Sequence, residues 1–266
     1  SLFTVVRFRN SGCTGDGGSS GICYTSSTCT SQGGTIDGTC ASGFGKCCIT
    51  TLFCDGRSSN NGTIIRSPGY PTYFNYAKTC PQTITLADDI CQVRLDITSL
   101  ELAPPDTTGN CINDYLQVSQ DDKIDKYCGV TTDNHFYLDV DPSSSNSLLF
   151  NFVTDSSSNN RRWSITVYQL TCTQTGKAPT GCGQYYTSES GTIKGLNSGG
   201  TANKEYLSGL KYAICVRREI NKCSTTYLDQ TTNSLLPRCP DTFERPYFTN
   251  NNLQPSCSAA VAVVAA

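Results

Sequence analysis

The chain has 266 residues, a net charge of −2, seventeen cysteines, one histidine and no methionine. The charge gives no basic footprint for nucleic acid, and the tail "AAVAVVAA" is far shorter than the roughly 18 apolar residues a membrane span needs. One histidine excludes most zinc frameworks and His-based catalysis, so the cysteines are read as disulfides made in an oxidising compartment, as in a secreted, extracellular protein.

The missing methionine fits removal of a secretory signal. The first predicted unit, residues 1–50, is a disulfide-rich knot. Cys13, Cys23, Cys29, Cys40, Cys47 and Cys48 fall in Gly/Ser/Thr-rich sequence with too few apolar side chains for a core, so covalent staples must replace one. Six cysteines leave 15 connectivities open.

Residues 51–172 form the second unit. Val93, Leu95 and Ile97 alternate with Gln92, Arg94 and Asp96, while Trp163, Ile165 and Val167 alternate with Ser164, Thr166 and Tyr168. That period of two marks half-buried strands. The continuous run "LLFNFV" (148–153) is expected to be a more deeply buried strand. Gly, Pro, Asn and Ser turns separate these runs, and no stretch keeps a helical period. The fold class is all-β, with antiparallel sandwiches.

Residues 173–266 repeat the second unit. Cysteine intervals of 26, 11, 20 and 17 from Cys54 through Cys80, Cys91 and Cys111 to Cys128 correspond to 33, 8, 16 and 18 from Cys182 through Cys215, Cys223 and Cys239 to Cys257. Gly-Thr-Ile follows the first cysteine in both copies, at Gly62 and Gly191. Such a register is the mark of a duplicated domain. The second copy has no counterpart of Cys172. Cys223, the counterpart of Cys91, is therefore expected to lack a partner, Cys91 to pair with Cys172, and the second domain to be incomplete or divergent.

Residues 54–170 resemble a CUB domain through Cys54, "GTI", "SPGYP" (67–71), Cys80, "CINDYLQV" (111–118), "YCGV" around Cys128 and "FNFVTDSSSNNRRWSITVYQ" (150–169). The resemblance implies a jelly-roll β-sandwich with bridges Cys54–Cys80 and Cys111–Cys128, and by the repeat Cys182–Cys215. Cys91 and Cys172 lie outside that scheme and are typical of a group of arthropod secreted proteins that carry an N-terminal Cys knot and paired CUB-like domains, which "FTVVRF", "CASGFGKCC" and "GCGQYYTSESGT" also resemble. The knot is similar to the clip domains of arthropod immune proteases, whose order implies Cys13–Cys47, Cys23–Cys40 and Cys29–Cys48.

Many CUB domains bind one Ca²⁺ through three acids, and the matching positions here are Glu101, Asp114 and Asp155, with Asp106 a substitute for Glu101. Asp229 and Asp241 stand at the corresponding places in the second copy. Ca²⁺ takes 6 to 8 oxygens, and carboxylates so gathered need a cation or a ligand's ammonium to neutralise them. In the family a partner's Lys or Arg reaches such carboxylates. "NRRW" (160–163) and "VRRE" (216–219) read as solvated strand faces, and Asn61-Gly62-Thr63 is a glycosylation sequon. His135 is placed in a loop or strand end, and Asp121/Asp122 and Asp139/Asp141 in solvent, which leaves no catalytic constellation. The function expected is a non-enzymatic extracellular interaction or assembly module, Ca²⁺-assisted. The alternatives are a structural component of a matrix, filament or multi-subunit particle, and the regulatory region of an immune protease cascade.

Overall fold

The computed structural model describes residues 7–143, 146–199 and 206–217, together with the backbone of 222–229 and 258–265. The knot holds β1 (Gly12–Thr14), β2 (Ser20–Tyr24), a short helix α1 (Ser26–Ser31), β3 (Thr35–Cys40) and β4 (Gly45–Ile49), with sheet order β1-β2-β4-β3. Thr25 caps α1 by accepting from the Thr28 amide at 3.2 Å. Its bridges are Cys13–Cys47, Cys23–Cys40 and Cys29–Cys48, and the sulfurs are most of what this unit buries, as its composition requires.

A two-sheet sandwich follows. Its strands are β5 (Thr51–Leu52), β6 (Arg57–Ser58), β7 (Thr63–Arg66), β8 (Lys78–Thr85), β9 (Ile90–Glu101), β10 (Tyr115–Val118), β11 (Val130–Asp139), β12 (Ser147–Thr154) and β13 (Arg162–Thr171). One sheet has the order β11-β9-β13-β7-β5 and the other β10-β12-β8-β6. Apart from short parallel additions by β5 and β6, the pairings are antiparallel. Val93, Leu95 and Ile97 from β9, and Trp163, Ile165 and Val167 from β13, point into the layer between the sheets. Trp163 stacks on Phe152 with ring centroids 4.0 Å apart, meets Phe74 edge-on at 5.5 Å, and donates its Nε1–H to Gln82 Oε1 at 3.2 Å. A buried indole with both its faces and its polar edge used anchors the two layers.

In "LLFNFV" Leu148, Phe150 and Phe152 are fully buried, while Leu149 on the outer face of the four-stranded sheet is 39% exposed. One sequence expectation needs correction: His135 is not at a strand end. It sits mid-strand in β11, opposite Asp96 of β9.

In this sandwich Cys54 is joined to Cys80, Cys91 to Cys172 and Cys111 to Cys128. Beyond it lie β14 (Cys182–Tyr186), β15 (Ser190–Lys194), β16 (Ala213–Val216), β17 (Lys222–Asp229) and β18 (Ser258–Ala265). Cys182 is joined to Cys215 across the parallel pair β14–β16. The two Gly-Thr-Ile strands have different company. In the first copy β7 lies antiparallel to β13, whereas β15 lies parallel to β18, which in turn lies parallel to β17. The partner of the second Gly-Thr-Ile is thus an Ala/Val run without polar alternation instead of an equivalent of β13. Cys239 and Cys257 lie outside the described residues, and Cys223 is described by its backbone alone.

Candidate functional site

At one end of the sandwich, the Cys111–Cys128 bridge fixes the loop that carries Asp114. The Asp114 carboxylate ties three segments together. Oδ2 accepts from the Ala103 amide at 2.8 Å and Oδ1 from the Asp155 amide at 3.1 Å. Arg161, immediately before β13, adds Nε to Oδ2 at 2.7 Å and Nη2 to Oδ1 at 2.9 Å, a two-pronged pair between side chains that are both 0% exposed. The same guanidinium donates to Asp155 Oδ1 at 2.5 Å, Ser157 Oγ at 2.8 Å, the Ser157 carbonyl at 2.6 Å and the Asn159 carbonyl at 2.9 Å.

Direct hydrogen bonds and charge from Asp114 raise the Arg161 pKa against the cost of burial. The Asp155 pKa is lowered by hydrogen bonds from Ser157 and then by Arg161. "NRRW" therefore departs from a solvated strand face. Arg162 is partly exposed, but Arg161 is fully buried. A signal for this was present in the sequence. Arg161 lies two residues before the inward Trp163, so the alternation that buries Trp163 also turns Arg161 inward, and a buried arginine demands a carboxylate.

The three acids expected to hold Ca²⁺ are not assembled as a trio. Asp114 and Asp155 share Arg161, while Glu101 accepts from Arg162 Nε at 2.7 Å, the Tyr73 hydroxyl at 2.8 Å and Ser99 Oγ at 3.2 Å. The Arg162 guanidinium lies 4.3 Å over the Tyr73 ring. Asp106 Oδ1 accepts from the Thr108 and Asn110 amides and the Thr108 hydroxyl of its own turn. Among the described residues no three His, Cys, Asp or Glu side chains are grouped to hold a metal. Asp229 ends β17, and Asp241 lies outside the described residues.

Residues 54–167 match the CUB domain family, and residues 179–262 match the animal CUB domain family. The chain belongs to the CUB family. It is 29% identical to pig (Sus scrofa) Cubilin over 198 residues, or 70% of the chain, and 28% identical to human Cubilin over 178 residues, or 64%. It spans only 5% and 4% of the lengths of those relatives. Among solved structures, the MASP-1 CUB2 domain bound to Ca²⁺ is 22% identical, with 43% of this chain and 98% of that one covered at a TM-score of 0.36. The CUB1-EGF-CUB2 domain of human MASP-1/3 is 20% identical, with 52% and 48% covered at 0.37.

A second set of polar contacts joins this CUB domain to the repeat that follows it. Asn197 Oδ1 accepts from the Val130 amide at 3.0 Å, and Gln184 Nε2 donates to Asn134 Oδ1 at 2.7 Å. The Tyr185 amide donates to His135 Nε2 at 3.1 Å. Lys123, nearly buried, pairs with Asp139 at 2.8 Å, and Asp139 also accepts from the Gly181 amide at 3.0 Å. These are the contacts that sequence reasoning missed, having placed Asp139 in solvent. Asp121 is likewise engaged, accepting the Tyr127 hydroxyl at 2.5 Å. A groove of about 330 Å³ crosses the outer face of the five-stranded sheet, lined by Ser20, Arg94, Asp96, Asp133, His135 and Thr166 among others.

The sequon is engaged as well. Asn61 Nδ2 donates to the Gln169 carbonyl at 3.3 Å, its Oδ1 accepts from the Gln169 amide at 2.8 Å, and the Thr63 hydroxyl donates to the Asn60 carbonyl at 2.8 Å. Gly62 between them has φ +75°, and a Cβ there would lie 2.9 Å from Ile22 of the knot. The first Gly-Thr-Ile thus needs glycine for both its left-handed backbone and the knot's close approach.

Proposed function

We propose that this chain is a secreted, extracellular, non-enzymatic protein–protein interaction or assembly module, built on a CUB domain braced by its knot and by the repeat that follows. The observation that carries this reading is the loop end around Asp114. Its loops are joined by a disulfide and by a saturated buried ion pair, yet they project Tyr73, Tyr76 and Ile112 into solvent. Fixed loops with exposed aromatic and aliphatic side chains suit recognition, because little ordering entropy remains to be lost on binding. CUB domains are generally binding modules without catalytic groups, and the one histidine here is engaged with backbone at β14.

A partner's Lys or Arg would approach Asp155, whose side chain is 34% exposed, in preference to the enclosed Asp114. Cross-linking mass spectrometry on the native protein with its attached partner tests the reading. Cross-links should map to residues 70–76 and 102–114; partner contacts confined to other faces would overturn it. No helix among the described residues is long and apolar enough to cross a membrane.

The structural alternative, assembly into a filament or particle, is favoured by the open outer face of β12 with Leu149 exposed. Sedimentation velocity separates the two: a large homogeneous assembly supports the structural role and a discrete monomer the interaction role.

A further inference from the structure

We propose that Arg161 is an internal counter-cation that holds the Asp114–Asp155 loop end in its working geometry without a divalent metal. Three observations carry this. Each Asp114 oxygen already accepts two donors, Oδ2 from Ala103 and Arg161 and Oδ1 from Asp155 and Arg161. A Ca²⁺ on either oxygen would face a guanidinium nitrogen within 2.9 Å of that same oxygen and would have to displace a full positive charge. All three guanidinium nitrogens are used, so the arginine has no unmet hydrogen-bonding demand that would drive it out to solvent.

The converse is equally specific. The acceptors around the guanidinium are Asp114 Oδ1 and Oδ2, Asp155 Oδ1, Ser157 Oγ, and the Ser157 and Asn159 carbonyls. They are all oxygens, and removing Arg161 would leave the Asp114 and Asp155 carboxylates without the cation between them. An oxygen set that includes two carboxylates is what Ca²⁺ takes once the oxygens draw in to about 2.3 to 2.6 Å. One arginine thus replaces a metal that the same oxygens could otherwise hold. The loop end is then insensitive to chelators and to the Ca²⁺ concentration outside the cell. This holds whether or not the loops bind a partner, so the test uses the chain alone.

The experiment is calorimetric Ca²⁺ titration and thermal melting of the whole chain, as wild type, Asp155→Asn and Arg161→Ala. Wild type should melt at the same temperature in EDTA and in millimolar Ca²⁺, and any Ca²⁺ it takes up should be unaffected by Asp155→Asn. Arg161→Ala should melt lower in EDTA, bind one Ca²⁺ and regain melting temperature on binding it. The proposal is overturned if wild type binds Ca²⁺ with a Kd below about 1 mM that Asp155→Asn weakens about ten-fold or more. It is overturned equally if folded Arg161→Ala shows no response to Ca²⁺. Should Arg161→Ala fail to fold in either condition, the comparison of wild type with Asp155→Asn decides alone.

Discussion

The Cys91–Cys172 bridge closes a loop of 81 residues, the longest of the seven described. It joins the start of β9 to the end of β13, where Thr171 pairs with Ile90 and the Cys172 amide donates to the Asp89 carbonyl at 2.8 Å. Cys172 is exposed and Cys91 only partly buried, so replacing both with alanine removes little packing. The loss should then be the entropy that the cross-link takes from the unfolded chain. For n = 81, the loop-closure relation gives about 15 cal/mol/K, or about 4.5 kcal/mol at 25 °C. Against a typical net stability of roughly 5 to 15 kcal/mol this is a large share, and in a domain of this size it lowers the melting temperature by roughly 15 °C. Urea unfolding of Cys91→Ala/Cys172→Ala is followed conveniently by fluorescence, since Trp163 is the chain's one tryptophan and lies fully buried in this sandwich. A loss under about 1 kcal/mol would refute the reasoning, because the strand pairing alone would then confine the unfolded ensemble as well as the bridge does.

Two further predictions rest on single residues. Gly62→Ala should cost about 1 to 2 kcal/mol from the left-handed backbone, with more from the 2.9 Å approach of Ile22. Gly191→Ala in the second Gly-Thr-Ile meets nothing within 4 Å and should change stability by no more than about 0.5 kcal/mol; equal losses in urea would sink the distinction. At His135, burial first and then the Arg94 charge lower the pKa, opposed by Asp96 and the Tyr185 backbone. A histidine with a depressed folded pKa favours the unfolded state on protonation. Its contribution is therefore complete above the unfolded value of about 6.5 and falls as pH drops from there to the folded pKa. The carboxylates with lowered pKa, Asp106, Asp139, Asp141 and Asp155, act only below their ordinary range, and Asp121, raised by burial, acts with the opposite sign. Urea midpoints between pH 8 and 5 should decline in wild type and flatten in His135→Gln; parallel profiles would exclude the imidazole.

Legibility followed from whether a residue's role is local or depends on what packs over it. β9 and β13 were readable because alternation states which side faces the core, and Trp163, Ile165 and Val167 lie there. The bridges Cys54–Cys80 and Cys111–Cys128 were carried by the family pattern, and Cys91–Cys172 by the repeat register. Alternation also contained Arg161, one step beyond Trp163 on the same face, but a charged pair reads as solvated until its buried carboxylate is known. Asp139 and Lys123 were unreadable for a different reason. Asp139 takes the Gly181 amide from another unit, Gln92 from another strand and Lys123 from a loop, and no period within β11 signals an edge that will be covered.

The same covering explains an oddity of β13. Its outer-face residues Ser164 and Thr166 are polar yet buried. The same face keeps the part-exposed Arg94 and Asp96 in its groove, so short side chains stand only where the knot comes close. Arg66 Nη2 reaches Ser19 Oγ of the knot at 3.1 Å, and Asn60 Nδ2 reaches the Gln32 carbonyl at 2.9 Å. On the other side Leu196 and Leu207 of the second repeat join the sandwich's own core. Among the described residues, the knot and the repeat therefore flank one sheet from two sides and leave the Asp114 loops and the outer face of the four-stranded sheet open. If recognition is through those loops, changes at the knot seam such as Arg66→Ala should lower stability while leaving partner affinity intact. Loss of affinity at unchanged stability would instead make the knot part of the recognition surface.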